Sequence, residues 1–195
     1  LRVGIRQVHG RHRKRDGYWE RRKDAVYLFV ARQICKKFCA APRSVLDVGS
    51  NETPTLEWHR ESAEKLVSVD LRRPYVAQGV LSLTCDFLKY QPEERFDLVT
   101  CFQVLEHVSD PAAFAVKLLQ VGKIVVVSVP YKWRAGKSRG HIHDPVDEVK
   151  MFGWFGREPD FAYLASELNN VQRLIHVYRT VGKRPEGNRE PSAGP

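Results

Sequence analysis

The feature that most limits what this chain can fold into is an alternation. Runs rich in valine, leucine and isoleucine at residues 44–48, 66–70, 96–100 and 123–129 are separated by longer, helix-compatible stretches. Strands that are apolar along their whole length need cover on both faces, and parallel neighbours need a crossover that passes over the sheet. The alternation therefore predicts an α/β fold, a doubly wound Rossmann-like sheet with helices on both faces. Ser109 and Asp110 ahead of Pro111 read as a capped helix start leading into residues 112–119, since the N–H that proline lacks has no helical partner in the first turn anyway. Two further strands, about residues 160–166 and 171–181, flank a turn at 167–170 that contains a pair of asparagines, which predicts a terminal antiparallel hairpin. Ahead of the first strand, Tyr18, Val26, Phe29, Val30, Ile34 and Phe38 recur at helical steps, so residues 18–39 are expected to form an amphipathic cover helix that Pro42 ends.

A chain of 195 residues is long enough for one such core and too short for two. The expected division is a basic flexible arm at 1–16, one domain at 17–182, and a flexible tail at 183–195 rich in glycine, proline and charge. The formal charge of +9 suggests nucleic acid until it is located along the chain. Residues 1–23 hold nine Lys or Arg against Asp16 and Glu20, the tail holds three against Glu186 and Glu190, and the body between them holds 20 against 19. A nearly neutral body makes nucleic acid a possible partner but not the favoured one. No apolar stretch approaches the roughly 20 residues of a membrane span, and the basic N-terminus is not followed by the apolar core of a secretory signal. Cys35, Cys39, Cys85 and Cys101 lack the paired spacing of a zinc site and read as free thiols packed in the interior, consistent with a reducing, cytoplasmic setting.

The chemistry-bearing residues stand at strand ends. Residues 44–53 run from an apolar strand through Asp47 and Gly49 into a turn containing Asn51, where glycine lets the backbone approach a ligand. About twenty residues later a second strand ends in Asp70, placed to accept hydrogen bonds from ribose hydroxyls. Without a full G-x-G-x-x-G loop, the pyrophosphate of a dinucleotide lacks its backbone donors. A third element, Cys85-Asp86-Phe87, offers a carboxylate for an adenine amino group and a ring to pack against it. The fourth runs from Arg95 to Pro111 and contains F-D-L-V, then V-L-E-H-V, then D-P. In order, these four elements resemble the class I S-adenosylmethionine-dependent methyltransferases, in particular the broad branch of quinone-biosynthetic and sugar methyltransferases. The resemblance covers roughly residues 42–181 and implies a seven-stranded sheet with S-adenosylmethionine as donor and S-adenosylhomocysteine as product. It places Asp47, Gly49 and Asn51 around the methionine part, Asp70 at the ribose, Asp86 and Phe87 at the adenine, and Phe102 and Gln103 near the sulfonium. Asn51 and Thr53 depart from the usual glycines. Glu106 and His107 belong to the motif and read mainly as buried, hydrogen-bonded fold residues.

Residues 131–145, after the strand at 123–129, form the candidate acceptor loop. His141 and His143 are two apart and share one side of an extended segment, so three readings stand: ordering the loop, acid/base or substrate contact with His143 preferred, or binding a metal together with Asp144. No metal is assigned. Asp144 reads equally as the N-cap of a helix after Pro145. Tyr131 and Trp133 are candidate substrate contacts; Trp154 and Phe155 fit an aromatic pocket or, more simply, a helix packed on the sheet. The expected activity is O-methylation of a small molecule, sugar or glycan, the alternatives being RNA methylation and a catalytically weak, methyltransferase-like scaffold.

Overall fold

The computed structural model describes residues 6–7, 22–167 and 170–180. The tail at 183–195, most of the arm at 1–16, the first residues of the expected cover helix and residues 168–169 of the expected turn lie outside the described residues. Strands β1 (Arg6–Gln7), β2 (Ser44–Val48), β3 (Lys65–Asp70), β4 (Val80–Thr84), β5 (Phe96–Phe102), β6 (Gly122–Pro130), β7 (Phe161–Ser166) and β8 (Gln172–Arg179) form one sheet. Its order is β1-β4-β3-β2-β5-β6-β8-β7. The strands from β4 through β6 are parallel, while β8 and β7 return as an antiparallel hairpin, as expected. The chain winds outward in one direction from β2 and in the other from β5, so the two central strands flank the point where open α/β sheets bind ligands.

Val45, Leu46 and Val48 in β2 are at most 1% exposed, as an apolar run between two covered faces must be. On one face, Leu46, Val67 and Val99 pack with Leu118 of α2 (Pro111–Val121) and with Met151 and Phe155 of α3 (Glu148–Phe155). On the other, Val45, Leu66, Leu98 and Val126 meet Tyr27, Leu28, Ala31, Ile34 and Cys35 along one stripe of α1 (Val26–Phe38). The α1 N-terminus has no local side-chain cap. Its Val26 and Tyr27 amides donate instead to the two carboxylate oxygens of Glu167, at 2.9 and 3.1 Å, from beside the β7–β8 turn. Among the described residues, no helix is long and apolar enough to cross a membrane.

Three features differ from the sequence reading. Among the described residues the sheet has eight strands where seven were expected: β4 is the seventh, which no sequence pattern located, and the edge strand β1 is the eighth, drawn from the stretch read as flexible and pairing Arg6 and Gln7 with Thr84 and Leu83. The crossovers after β2 and β4 contract to single 3-10 turns, Thr55–His59 and Phe87–Lys89. Asn51 and Glu52 take positive φ and Pro54 follows, so the first crossover spends its length on the turn. Finally, α3 begins after Asp147, which accepts from the Lys150 amide; Asp147 is the N-cap in place of Asp144. At α2, Asp110 caps Pro111 as predicted, accepting from the Ala113 amide at 2.9 Å. Helix α2 then passes into β6 with no intervening loop, at Gly122, whose added Cβ would stand 2.7 Å from Val99 and 2.8 Å from Val125.

Candidate active site

The turn after β2 is fixed by side chains that the surrounding strands supply. Asp47, 2% exposed, accepts from the Thr55 hydroxyl at 2.5 Å and the Thr100 hydroxyl at 2.6 Å. Burial pushes its carboxyl up to about 6 against the pull of those hydroxyls. Gly49 has φ +73°, and a Cβ there would lie 2.4 Å from Val104 Cγ2, so both conformation and space demand glycine. Asn51 and Glu52 follow at φ 42° and 67°. The Asn51 amide donates to Asp70 Oδ2 at 2.9 Å, and Asp70 Oδ1 accepts from the Arg72 and Arg73 amides at 2.8 Å each. A carboxylate has about four acceptor positions, so Asp70 shapes the loop and keeps capacity on Oδ2 for a ligand.

Beyond the C-terminal ends of β2, β3, β4 and β5 lies a cavity of about 730 Å³. That is within the range of about 300–1,000 Å³ usual for small-molecule sites. All eight residues expected to hold the donor line it: Asp47, Gly49, Asn51, Asp70, Asp86, Phe87, Phe102 and Gln103. Asp86 also caps the turn at Phe87–Lys89 by accepting from the Leu88 amide, and Phe87 packs on Phe114 with ring centroids 4.8 Å apart. The sequence reading did not include Arg22, Tyr27, Val104, Ser109 or Phe114 in the wall, nor His107.

The loop read as the acceptor loop docks on the segment after β5 through three bonds. His107 Nδ1 donates to the Gly140 carbonyl at 2.9 Å, the Ile142 amide to the Glu106 carbonyl at 2.9 Å, and His143 Nε2 to the Val108 carbonyl at 2.7 Å. His141 Nδ1 lies 2.8 Å from Asp144 Oδ2, and its ring meets His107 edge-on at 4.6 Å and Trp133 face-on at 5.6 Å. Tyr131 reaches Glu148 at 3.3 Å, and none of Tyr131, Trp133, His141 or His143 lines the cavity itself. His107 connects the two regions. Trp154 lies edge-on to His143, and Phe155 is buried against Tyr178, so these aromatics are helix packing and not pocket wall. Glu106, expected to be hydrogen-bonded, is fully buried with neither oxygen bonded to another residue. Burial pushes it up to about 8, against the pull of its own main-chain N–H and the Arg173 guanidinium; His107, more exposed, is lowered by the partial loss of solvent around its ring.

This layout of a glycine turn, two strand-end carboxylates and a cavity at the switch point has a counterpart among known proteins. The family described as a methyltransferase domain matches residues 18–169. The chain belongs to the class I S-adenosylmethionine-dependent methyltransferases. No curated protein matches its sequence. Among solved structures, the methyltransferase fold recurs in the N-methyltransferase NodS from Bradyrhizobium japonicum WM9, solved with S-adenosylhomocysteine: 14% identity, 87% of this chain and 94% of that one covered, TM-score 0.69. A Burkholderia thailandensis 1,6-didemethyltoxoflavin-N1-methyltransferase, solved with 1,6-didemethyltoxoflavin and S-adenosylhomocysteine, gives 16%, 91%, 95% and 0.64. The N-terminal domain of EvdMO1 with S-adenosylhomocysteine gives 16%, 78%, 80% and 0.57.

The cavity lining was legible at and just beyond strand ends, because those positions are marked by composition. His107 escaped assignment because its role depends on Gly140, 33 residues away, and no local pattern records that pairing.

Proposed function

We propose that this methyltransferase transfers the methyl group of S-adenosylmethionine to a hydroxyl oxygen of a small molecule or sugar, as in natural-product or glycan modification. The observation that carries the reading is one cavity with the eight strand-end residues along its wall and a histidine corner, His107 beside His141, at its edge. When bound, the donor supplies a sulfonium-activated methyl group. Gly49 and Asn51 would lie along its methionine part with Asp47 behind them, Asp70 Oδ2 would accept from the ribose, Asp86 and Phe87 would receive the adenine, and Phe102 and Gln103 would border the reacting methyl. What remains for the protein is to hold the acceptor in line and handle its hydroxyl proton. His141 suits that task because Asp144 fixes its Nδ1 and leaves the lone pair on Nε2. His143, with Nε2 on the Val108 carbonyl, braces the loop. Tyr131 and Trp133 would shape the acceptor's approach, Trp133 by backing the His141 ring. The EvdMO1 domain was also solved in the presence of S-adenosylhomocysteine and D-fucose, which supports a sugar as the acceptor class to try first.

The test titrates S-adenosylhomocysteine calorimetrically, with NAD as comparison ligand and Asp70→Ala as site variant, then follows labelled methyl transfer to sugars, phenols, amines and RNA. The expected result is selective S-adenosylhomocysteine binding, at least 10-fold weaker in Asp70→Ala, and transfer to hydroxylated small molecules. Folded wild-type protein that ignores S-adenosylhomocysteine would overturn the donor site; transfer confined to amines or RNA would overturn the acceptor class.

A further inference from the structure

Beside the cavity the structure holds a group of polar atoms that no protein contact satisfies. Glu106 is fully buried with both carboxylate oxygens unpartnered, and the second oxygen of Asp144, whose side chain is 1% exposed, is unpartnered as well. Buried carboxylates in this state are costly, so each calls for a compensating cation or proton. Arg173, the guanidinium whose charge reaches Glu106, makes no hydrogen bond to it; its own Nε is unpartnered and it lies over the Trp133 ring at 4.3 Å.

Glu106, His107 and His141 each offer a ligand atom, and these lie within 4.8 Å of one another. The hydrogen bonds around the two histidines prepare them as ligands. His107 gives its Nδ1 proton to the Gly140 carbonyl and His141 gives its own to the Asp144 carboxylate, so each neutral ring keeps its lone pair on Nε2. A histidine whose other nitrogen donates to a carbonyl or carboxylate is the usual arrangement around a protein-bound metal. Trp133 stacked on His141, and the close packing of Gly140 on His107, where a Cβ would stand 3.4 Å from Nδ1, hold both rings in place.

We propose that Glu106, His107 and His141 bind one divalent transition-metal ion at the edge of the cavity, with Asp144 and the Gly140 carbonyl as positioning groups. Two imidazoles and one carboxylate suit zinc-like ions better than magnesium or calcium, which prefer all-oxygen shells. Three protein ligands leave a coordination position open, and His107 sets it beside the cavity. In a role that rests on the hydroxyl-acceptor reading above, the ion would hold the acceptor oxygen and make its hydroxyl more acidic, so that the proton would leave to solvent as the methyl arrives, with His141 a ligand in place of the base.

The experiment strips the full chain with a chelator and titrates Zn²⁺, with Mg²⁺ as comparison, by calorimetry; Co²⁺ absorption reports the ligand set independently. The expected result is one Zn²⁺ per chain and little affinity for Mg²⁺. His107→Ala and Glu106→Gln should each weaken Zn²⁺ at least 100-fold, and Asp144→Asn about 10- to 100-fold, the usual cost of losing an outer-shell partner. His107 is exposed, so its variant keeps the test valid if the Glu106 variant misfolds. No Zn²⁺ binding by wild type, or equal binding by His107→Ala, overturns the site. Because S-adenosylhomocysteine binding and methyl transfer are measured on the same stripped and reloaded samples, failure of the metal site and failure of the acceptor reading are told apart.

Discussion

Gly49 concentrates two demands that separate substitutions can pull apart. Its φ of +73° disfavours any L side chain, and the position a Cβ would take is already filled by Val104. Gly49→Ala should cost about 2–4 kcal/mol of stability from backbone strain and overpacking together. Val104→Ala in the same chain removes only the overpacking, so the double variant should recover at least about 1 kcal/mol relative to additivity. Urea unfolding of the four proteins in the cycle measures this, and strict additivity would show that the contact is not what fixes glycine there. Legibility at this scale follows the same division. That residue 49 had to be glycine at a tight turn was readable from the strand, acidic residue and turn that surround it. That Asp70 spends three acceptor positions on main-chain amides, two in its own loop and one in the turn after β2, and that neither carboxylate oxygen of Glu106 is hydrogen-bonded, was not, since hydrogen-bond satisfaction depends on what the fold brings near.

Elements were readable where both ends carry local signals. Helix α2 starts at Pro111 behind its Asp110 cap, and β2, β3, β5 and β6 stand out as buried apolar runs. Strand β4, Val80–Thr84, is as apolar as residues 66–70 but ends in Thr84 with no acidic residue or glycine there or directly after it to mark a strand end, and its Leu81 is 36% exposed. The crossover after β2 became a single 3-10 turn because the left-handed pair Asn51 and Glu52 used part of the available chain. Helix α1 shows a third case: its apolar stripe was evident, but the group that caps it comes from Glu167, about 140 residues along the chain. A carboxylate accepting from two first-turn amides also opposes the helix dipole. Glu167→Ala should therefore lower stability by about 1–2 kcal/mol, with amide exchange accelerating first at Val26 and Tyr27. Exchange unchanged at those two amides would contradict the assignment.

At the scale of the whole molecule, buried titratable groups make stability depend on pH in opposing senses. His59 and His176 are both about 3% exposed or less, and burial lowers each to about 4. Between pH 6.5 and 4 the unfolded chain binds protons there that the folded chain refuses, so stability from these groups is present above 6.5 and lost as pH falls toward 4. Asp47 and Glu106 are raised, so their contributions run the other way, present at low pH and lost as pH rises. The wild-type profile is a balance, and a variant exposes one side of it. The stability difference between wild type and His176→Gln should shift against wild type by roughly 3 kcal/mol on going from pH 7 to pH 4, read from urea midpoints; a constant difference would mean that His176 protonates as readily folded as unfolded.

The direct passage of α2 into β6 through Gly122 has a mechanical side. The first turn of α2 and the residues just ahead of it, Ser109, Asp110 and Phe114, form part of the cavity wall, while its last residue is joined without slack to a central strand. A wall spliced to the sheet in this way has no hinge of its own. Arg22 and the start of α1 supply another part of the wall, and they are held differently: Glu167 takes the first two amides of the helix while Tyr27 and Leu28 are buried against the sheet, so one wall is fixed by chain continuity and the other by a distant carboxylate and core packing.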